Sequence, residues 1–187
     1  MVIHELSPSN IFAMNFEVNR AIEILQQTPL AIEALLNGLS DEWISANEGK
    51  ETWSPYDVVG HLIHGEKTDW IPRMEIILSK NGDKKFEPFD RFAMFKDSQG
   101  KSLQQLIDEF KKLREESLTA LKAANLSEDD LLKTGIHPQF GSVTLKEHLS
   151  SWVVHDLAHI SQITRVMAKQ YSEEVGPWKE YLSILTR

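Results

Sequence analysis

The sequence predicts an all-α protein, a four-helix bundle, from three observations. Apolar residues recur at helical spacing along most of the chain, with no convincing run of strand alternation. The punctuation marks helix ends, since Ser-Pro and capping-box pairs open segments while Gly and Asn-Gly close them. Short links at the first and third junctions and one long crossover between helices two and three set four major segments side by side.

Ser7-Pro8 caps and starts the first segment, and Thr28-Pro29 restarts or kinks it before LAIEALLNGL ends at Gly38 or Leu39. Ser54-Pro55-Tyr56-Asp57 supplies a capping hydroxyl, a proline at the first helical position and a carboxylate in the first turn. It opens helix two, which runs to about Ser79 with a bend at Pro72. Asn81-Gly82-Asp83 closes that helix. The stretch to Gly100 is a long crossover carrying Phe86, Phe89, Phe92 and Phe95. Such a loop packs on the core and holds a short helical turn, its aromatics serving as anchors or as the lining of a pocket. Ser102 with Gln105 opens helix three, to about Ala124, and Thr144 with Glu147 opens helix four, to about Gln170. Between them GIHPQFGSV reads as a polar loop, and VGPWKEYLSIL as a final turn or two docking on the bundle. No repeat or break in composition divides residues 1–187, so a single domain is expected.

Composition narrows the function classes. The chain has 187 residues, 41% hydrophobic and 26% charged, which is enough for one substantial core. A mean hydropathy of -0.32 and the lack of a long apolar run argue against a membrane span. The start, MVIHELSPSNIFAM, lacks the basic region of a secretory signal, so a cytoplasmic location is expected. A net charge of -8 disfavours nucleic acid, because phosphate contacts need clustered Lys and Arg. The nearest to such a cluster, Lys111, Lys112 and Arg114, is followed by Glu115 and Glu116 and reads as a solvated helix face. With no cysteine, any metal must be held by nitrogen and oxygen ligands.

WVVHDLAHISQI places His155 and His159 four residues apart on helix four. Residues at that spacing project from one face about 6 Å apart, within reach of a single ion. On a helical wheel Gln162 shares their face, and the pair flanks the apolar stripe of Leu149, Trp152, Ile160, Ile163 and Met167. The alternative is two boundary histidines, one capping a neighbour's carbonyl and one solvated. His148 shares the face but lies about 10 Å along the axis. Asp156 falls within the apolar arc, so it needs a partner: a basic group, the second nitrogen of a ligand imidazole, or a structural hydrogen bond from Trp or backbone donors. On helix two His61 and His64 are both candidate third ligands, and periodicity does not choose between them. Glu66 lies on the buried side, as a functional carboxylate or half of a salt bridge.

The blocks TWSPYDVVGHLIHGEKTDWIPR, HPQFGSVTLKEHLSSWVVHDLAHISQI and GPWKEYL together resemble the DinB-like superfamily of metal-binding four-helix bundles, which includes thiol S-transferases of the bacillithiol and mycothiol type. The resemblance implies that His61, in the pattern W-S-x-x-x-V-x-x-H-L, joins His155 and His159, in H-x-x-x-H-x-x-Q, as metal ligands. It also implies an up-down-down-up bundle whose crossover follows helix two, and a homodimer. Three imidazoles leave coordination positions open, and Zn²⁺ or Ni²⁺ is the expected ion. The expected function is that of a metal-dependent thiol S-transferase activating a low-molecular-weight thiol toward a small-molecule substrate. The alternatives are a metal-dependent hydrolase and a non-catalytic metal-binding, stress-associated bundle. Glu66, Gln162 and His64 are the candidates for proton handling or ligand support, and His137, before helix four, could approach the site.

Overall fold

The computed structural model describes residues 14–80 and 82–186. The expected first cap at Ser7-Pro8 and residue Asn81 lie outside them. The bundle is built from α1 (Val18–Leu36), the pair α3 (Pro55–Thr68) and α4 (Trp70–Leu78), α6 (Leu103–Ala123) and α8 (Leu145–Lys169). Between them lie the short helices α2 (Asp41–Ser45), α5 (Ala93–Asp97) and α7 (Glu128–Leu131), and two 3₁₀ turns, Gly176–Tyr181 and Ser183–Leu185, end the chain. The long helices α3, α6 and α8 start as their sequences specify. At each, Ser54, Ser102 or Thr144 accepts from the backbone N–H three residues on, whose own side chain reaches back to the cap.

Prolines shape two of the bundle segments. Pro29 sits inside a continuous α1 rather than restarting it. Its missing N–H leaves the Leu25 carbonyl without the usual helical donor, and the Arg114 guanidinium of α6 fills that role at 2.7 Å. Pro72 does not simply bend helix two. Its ring conflicts with the carbonyl four residues back, at Thr68, and the helix divides there into α3 and α4 with Asp69 between them.

Helix α6 packs on α1 and α3, and α8 packs on α1, α4 and α3. Two apolar clusters fill the interior. One surrounds Trp70, Phe86, Leu145 and Trp152, and the other surrounds Leu62, Phe110, Ile107 and Ile163. The crossover behaves as expected in holding a short helix, α5, but its four phenylalanines diverge. Phe86 is buried in the core, Phe89 is half-buried beside the histidines, and Phe92 and Phe95 are exposed.

The segment expected to be a polar loop is instead a hairpin, with β1 (Thr134–His137) pairing antiparallel with β2 (Gly141–Thr144). Strands of four residues are too short to show an alternating pattern. Pro138 to Phe140 form the turn, and Gly141, at φ +72°, closes it. The crossover joins the edge of the hairpin, where Phe86 N–H donates to the Ile136 carbonyl at 2.9 Å and Ile136 N–H to Lys84 at 2.8 Å. Gly135 is required there. A Cβ on it would stand 2.5 Å from the buried Phe86 ring and 2.9 Å from Ile77. No described helix is long and apolar enough to cross a membrane.

Candidate metal centre

Helix α3 presents His61 and helix α8 presents His155 and His159 to one point. The His155 Nε2 stands 3.1 Å from the His61 Nε2 and 3.1 Å from the His159 Nε2. One nitrogen from each ring lies within 4.8 Å of the others. Hydrogen bonding alone does not account for this convergence, because a neutral His155 Nε2 carries at most one hydrogen for two neighbours. Nitrogens about 2.1 Å from one ion stand about 3.4 Å apart at tetrahedral angles and about 3.0 Å apart at right angles. The two contacts fall between those values.

The surroundings favour neutral imidazoles, the form in which a histidine binds a metal ion. The His159 Nδ1 donates to the Gln162 Oε1 at 2.8 Å, which leaves the Nε2 lone pair facing the cluster. Burial, then the nearness of His159 and His155, pushes His61 down to about 2. Burial, then His155, pushes His159 down to about 4, with Gln162 opposing. Trp53, 8% exposed, lies 4.6 Å from the His61 ring and nearly parallel to His159 at 6.1 Å. Trp70 meets His155 edge-on at 5.1 Å, and Phe89 meets His61 at 5.4 Å.

The other candidates occupy different places. Gln162 lines the cavity over the cluster, whereas His64 does not; its Nδ1 lies 3.7 Å from Asp97 and its ring packs on Phe89. Glu66 is also absent from that lining. It accepts from the Arg114 Nε at 3.0 Å and the Arg114 Nη2 at 2.8 Å, with no side-chain exposure. His148 is buried and donates from Nε2 to the Trp70 carbonyl at 2.9 Å, tying α8 to the start of α4.

Asp156 has a basic partner. Arg114 donates to its two oxygens at 2.6 and 3.2 Å, while the His155 Nδ1 is 4.0 Å away, beyond hydrogen-bond range. Burial pushes the Asp156 carboxyl up, but the Arg114 charge, helped by the neighbouring His155 and Thr28, overcomes that and holds it below the usual carboxylate range. At Glu66 burial prevails, and the carboxyl is raised despite the same guanidinium. Arg114 therefore does not belong to a solvated face. It is 2% exposed, over the rings of Phe110 and Trp152. The signal was its spacing, since Arg114 is four residues after Phe110 and four and seven before Leu118 and Leu121, all buried.

The cluster lies in the wall of a cavity of ≈ 520 Å³, a size suited to a small molecule. His137, on β1, lines the same cavity, and burial, then Arg73, lowers its pKa. Sequence reasoning missed Trp53, Arg91 and the Glu48–Arg165 pair, which also line it. Glu48 accepts from the Arg165 Nε and Nη2 at 2.8 and 2.7 Å, and from Lys169 at 2.9 Å, fastening the loop before Trp53 to α8.

The Arg165 hydrogen bonds lower the Glu48 pKa from 4.5 to about 2, against the opposing effect of burial and with help from Lys169. A depressed carboxylate stabilises the fold above its unfolded pKa and loses that contribution as pH falls through the folded value. Thermal unfolding is therefore expected to show a stability loss between about pH 4.5 and 2 that is reduced in Glu48→Gln. Parallel pH profiles for the two proteins would remove this assignment.

The model of the DinB superfamily matches residues 24–163. This chain belongs to the DinB superfamily. Among solved structures it is similar to YfiT from Bacillus subtilis, described as a probable metal-dependent hydrolase with an unusual four-helix bundle topology. That match has a TM-score of 0.71 and 19% identity, covering 90% of this chain and 95% of the other. A DinB-like protein from Bacillus cereus matches with a TM-score of 0.53 and 19% identity, over 81% of this chain and 91% of that one. No curated protein matches the chain by sequence. The likeness to both structures agrees with the DinB-type bundle expected from the helix-two and helix-four motifs.

Proposed function

We propose that this DinB-superfamily protein is a divalent-metal-dependent enzyme acting on a small molecule, with His61, His155 and His159 as the ligands. The observation that carries the reading is the convergence of three imidazole Nε2 atoms in the wall of a ≈ 520 Å³ cavity. Zn²⁺ and Ni²⁺ suit an all-imidazole donor set. A divalent ion held there would supply Lewis acidity, lowering the pKa of a coordinated nucleophile, a low-molecular-weight thiol for S-transfer or water for hydrolysis.

The protein's own contribution is placement and exclusion of water. Gln162 fixes the tautomer and tilt of His159, and Trp53 packs at a tilt against His61 and nearly parallel to His159. Trp70 and Phe89 complete an apolar surround that leaves one side open to the cavity. The S-transfer reading draws support from the resemblance of the helix-two and helix-four motifs to a superfamily that includes the thiol transferases. The hydrolytic reading draws support from the description of YfiT.

Elemental analysis of protein purified without a histidine tag is expected to find one divalent ion per chain. Loss of bacillithiol, mycothiol or glutathione in the presence of a reactive electrophile, run beside ester and amide hydrolysis, then identifies the nucleophile. A chain that binds neither Zn²⁺ nor Ni²⁺ would overturn the proposal.

A further inference from the structure

The polar groups left unengaged in the cavity define the charge of its ligand, given the metal-dependent reading above. Most acceptors in the lining are already occupied. Asp69 pairs with Arg73 at 2.8 Å, and Glu48 with Arg165 at 2.7 Å. The Gln162 Oε1 accepts a hydrogen bond from the His159 Nδ1–H, and the His137 Nδ1 accepts from the backbone N–H groups of Gln139 at 3.1 Å and Phe140 at 3.3 Å. Those two bonds place the His137 proton on Nε2, so this ring offers a donor to the cavity.

Apart from the Nδ1 atoms of His61 and His155, which are buried without a partner on the rings of the cluster itself, two further donors stand free. Trp70 is only 4% exposed, and its Nε1–H is buried without a hydrogen-bond partner. It lies against Gly65, where even a Cβ would come within 3.1 Å of the nitrogen, and both residues line the cavity. A buried N–H with no partner calls for a ligand or water to receive it. Arg91 is the second. Its guanidinium rests over Trp53 at 5.6 Å and Phe92 at 5.5 Å and forms no ion pair among the described residues. The neighbouring Asp90 carboxylate is turned to the Phe92 N–H at 3.0 Å. Among the described residues, the acceptors left over in the lining are Glu51, on the exposed loop before Trp53, and the Asp69 Oδ1, which is ion-paired with Arg73 but accepts no hydrogen bond.

We propose that the substrate is a small monocarboxylate, its carboxylate bound by Arg91 and a second acceptor oxygen facing the N–H donors of His137 and Trp70, with its reacting end at the three histidines. The lining favours one negative charge over two. Of its three guanidiniums, two are neutralised by Glu48 and Asp69, which leaves one planar fork, the match for a single carboxylate, while Glu51 on the exposed loop adds a negative charge that disfavours a second one on the ligand.

The test uses zinc-loaded full-length protein and two kinds of probe that share a metal-binding hydroxamate. Acetohydroxamate is the uncharged member, and the monohydroxamates of malonate, succinate and glutarate add a carboxylate at increasing distance. Calorimetry is expected to show the best of the three binding about tenfold tighter than acetohydroxamate, a preference that shrinks with added salt. In Arg91→Met, which keeps an apolar chain over Trp53, the preference is expected to vanish while acetohydroxamate affinity holds. Arg91→Lys is expected to restore part of it. Equal affinities for all probes in the wild-type protein, or a preference that survives Arg91→Met, would overturn the carboxylate assignment while leaving the metal reading intact. Failure of every hydroxamate to bind would overturn the metal reading, and this inference with it.

Discussion

Arg114→Met is expected to lower the stability of the folded chain by about 3–5 kcal/mol, the cost of breaking a buried ion pair from one side. Three groups lose their partner together. Glu66 and Asp156, both without side-chain exposure, are left as carboxyls in the core, and the Leu25 carbonyl loses the donor that replaces the missing Pro29 N–H. Methionine fills most of the volume between Phe110 and Trp152, so the loss is electrostatic rather than a cavity effect. For a domain of this size, roughly 2–4 °C accompanies each kcal/mol, and a fall in Tm of about 6–20 °C follows. Adding Glu66→Gln and Asp156→Asn to the same chain is expected to recover part of the loss, because no uncompensated charge then remains. Denaturant unfolding followed by tryptophan fluorescence measures both. A cost below about 1 kcal/mol for Arg114→Met would mean that the interior admits water to the two carboxyls.

The buried ion cluster also shows what was legible beforehand. Asp156 in the apolar arc of helix four and Glu66 on the buried side of helix two each demanded a partner, and both were visible as such from periodicity. Arg114 was misread because its local company, Lys111, Lys112, Glu115 and Glu116, is that of a solvated face. Charge density along the chain masked a residue whose spacing to Phe110, Leu118 and Leu121 placed it inward. The four bundle segments were legible for a different reason: capping pairs and heptad-like stripes are local, and local signals survive in a single sequence. The hairpin was not, because its stability comes from Phe86 and the crossover edge rather than from any pattern within four-residue strands. Likewise Arg91 and the Glu48–Arg165 pair reach the cavity from segments far apart in the chain, whereas Trp53 stands in the helix-two motif eight residues before His61 without its role over the ring being legible there. Their contribution is set by tertiary contacts that no spacing rule encodes.

His155→Ala is expected to remove the ion while leaving the bundle folded. Its Nε2 is the one nitrogen within 3.1 Å of both others, so its loss leaves one imidazole on α3 and one on α8 with no bridging donor. Without metal the substitution should cost no more than about 1 kcal/mol, since the half-buried ring packs edge-on to Trp70 and its Nδ1 makes no hydrogen bond. With metal the contrast is large. A ligand present at 100 times its Kd stabilises the folded state by about 2.7 kcal/mol, equivalent here to a rise in Tm of roughly 5–11 °C. The wild-type chain is expected to show that rise with Zn²⁺ or Ni²⁺ and a change in tryptophan fluorescence, because Trp53 lies on His61 and His159 while Trp70 touches His155. His155→Ala should show neither. His64→Ala should show both, since its imidazole faces Asp97 and Phe89 and lies outside the cavity lining. Retention of one ion per chain by His155→Ala would separate metal binding from this cluster, whereas loss in His64→Ala would mean that His64 contributes to it. His155 is three residues from Trp152 and His64 three from His61, yet only His155 contributes a nitrogen to the cluster, so their divergence isolates coordination from local packing.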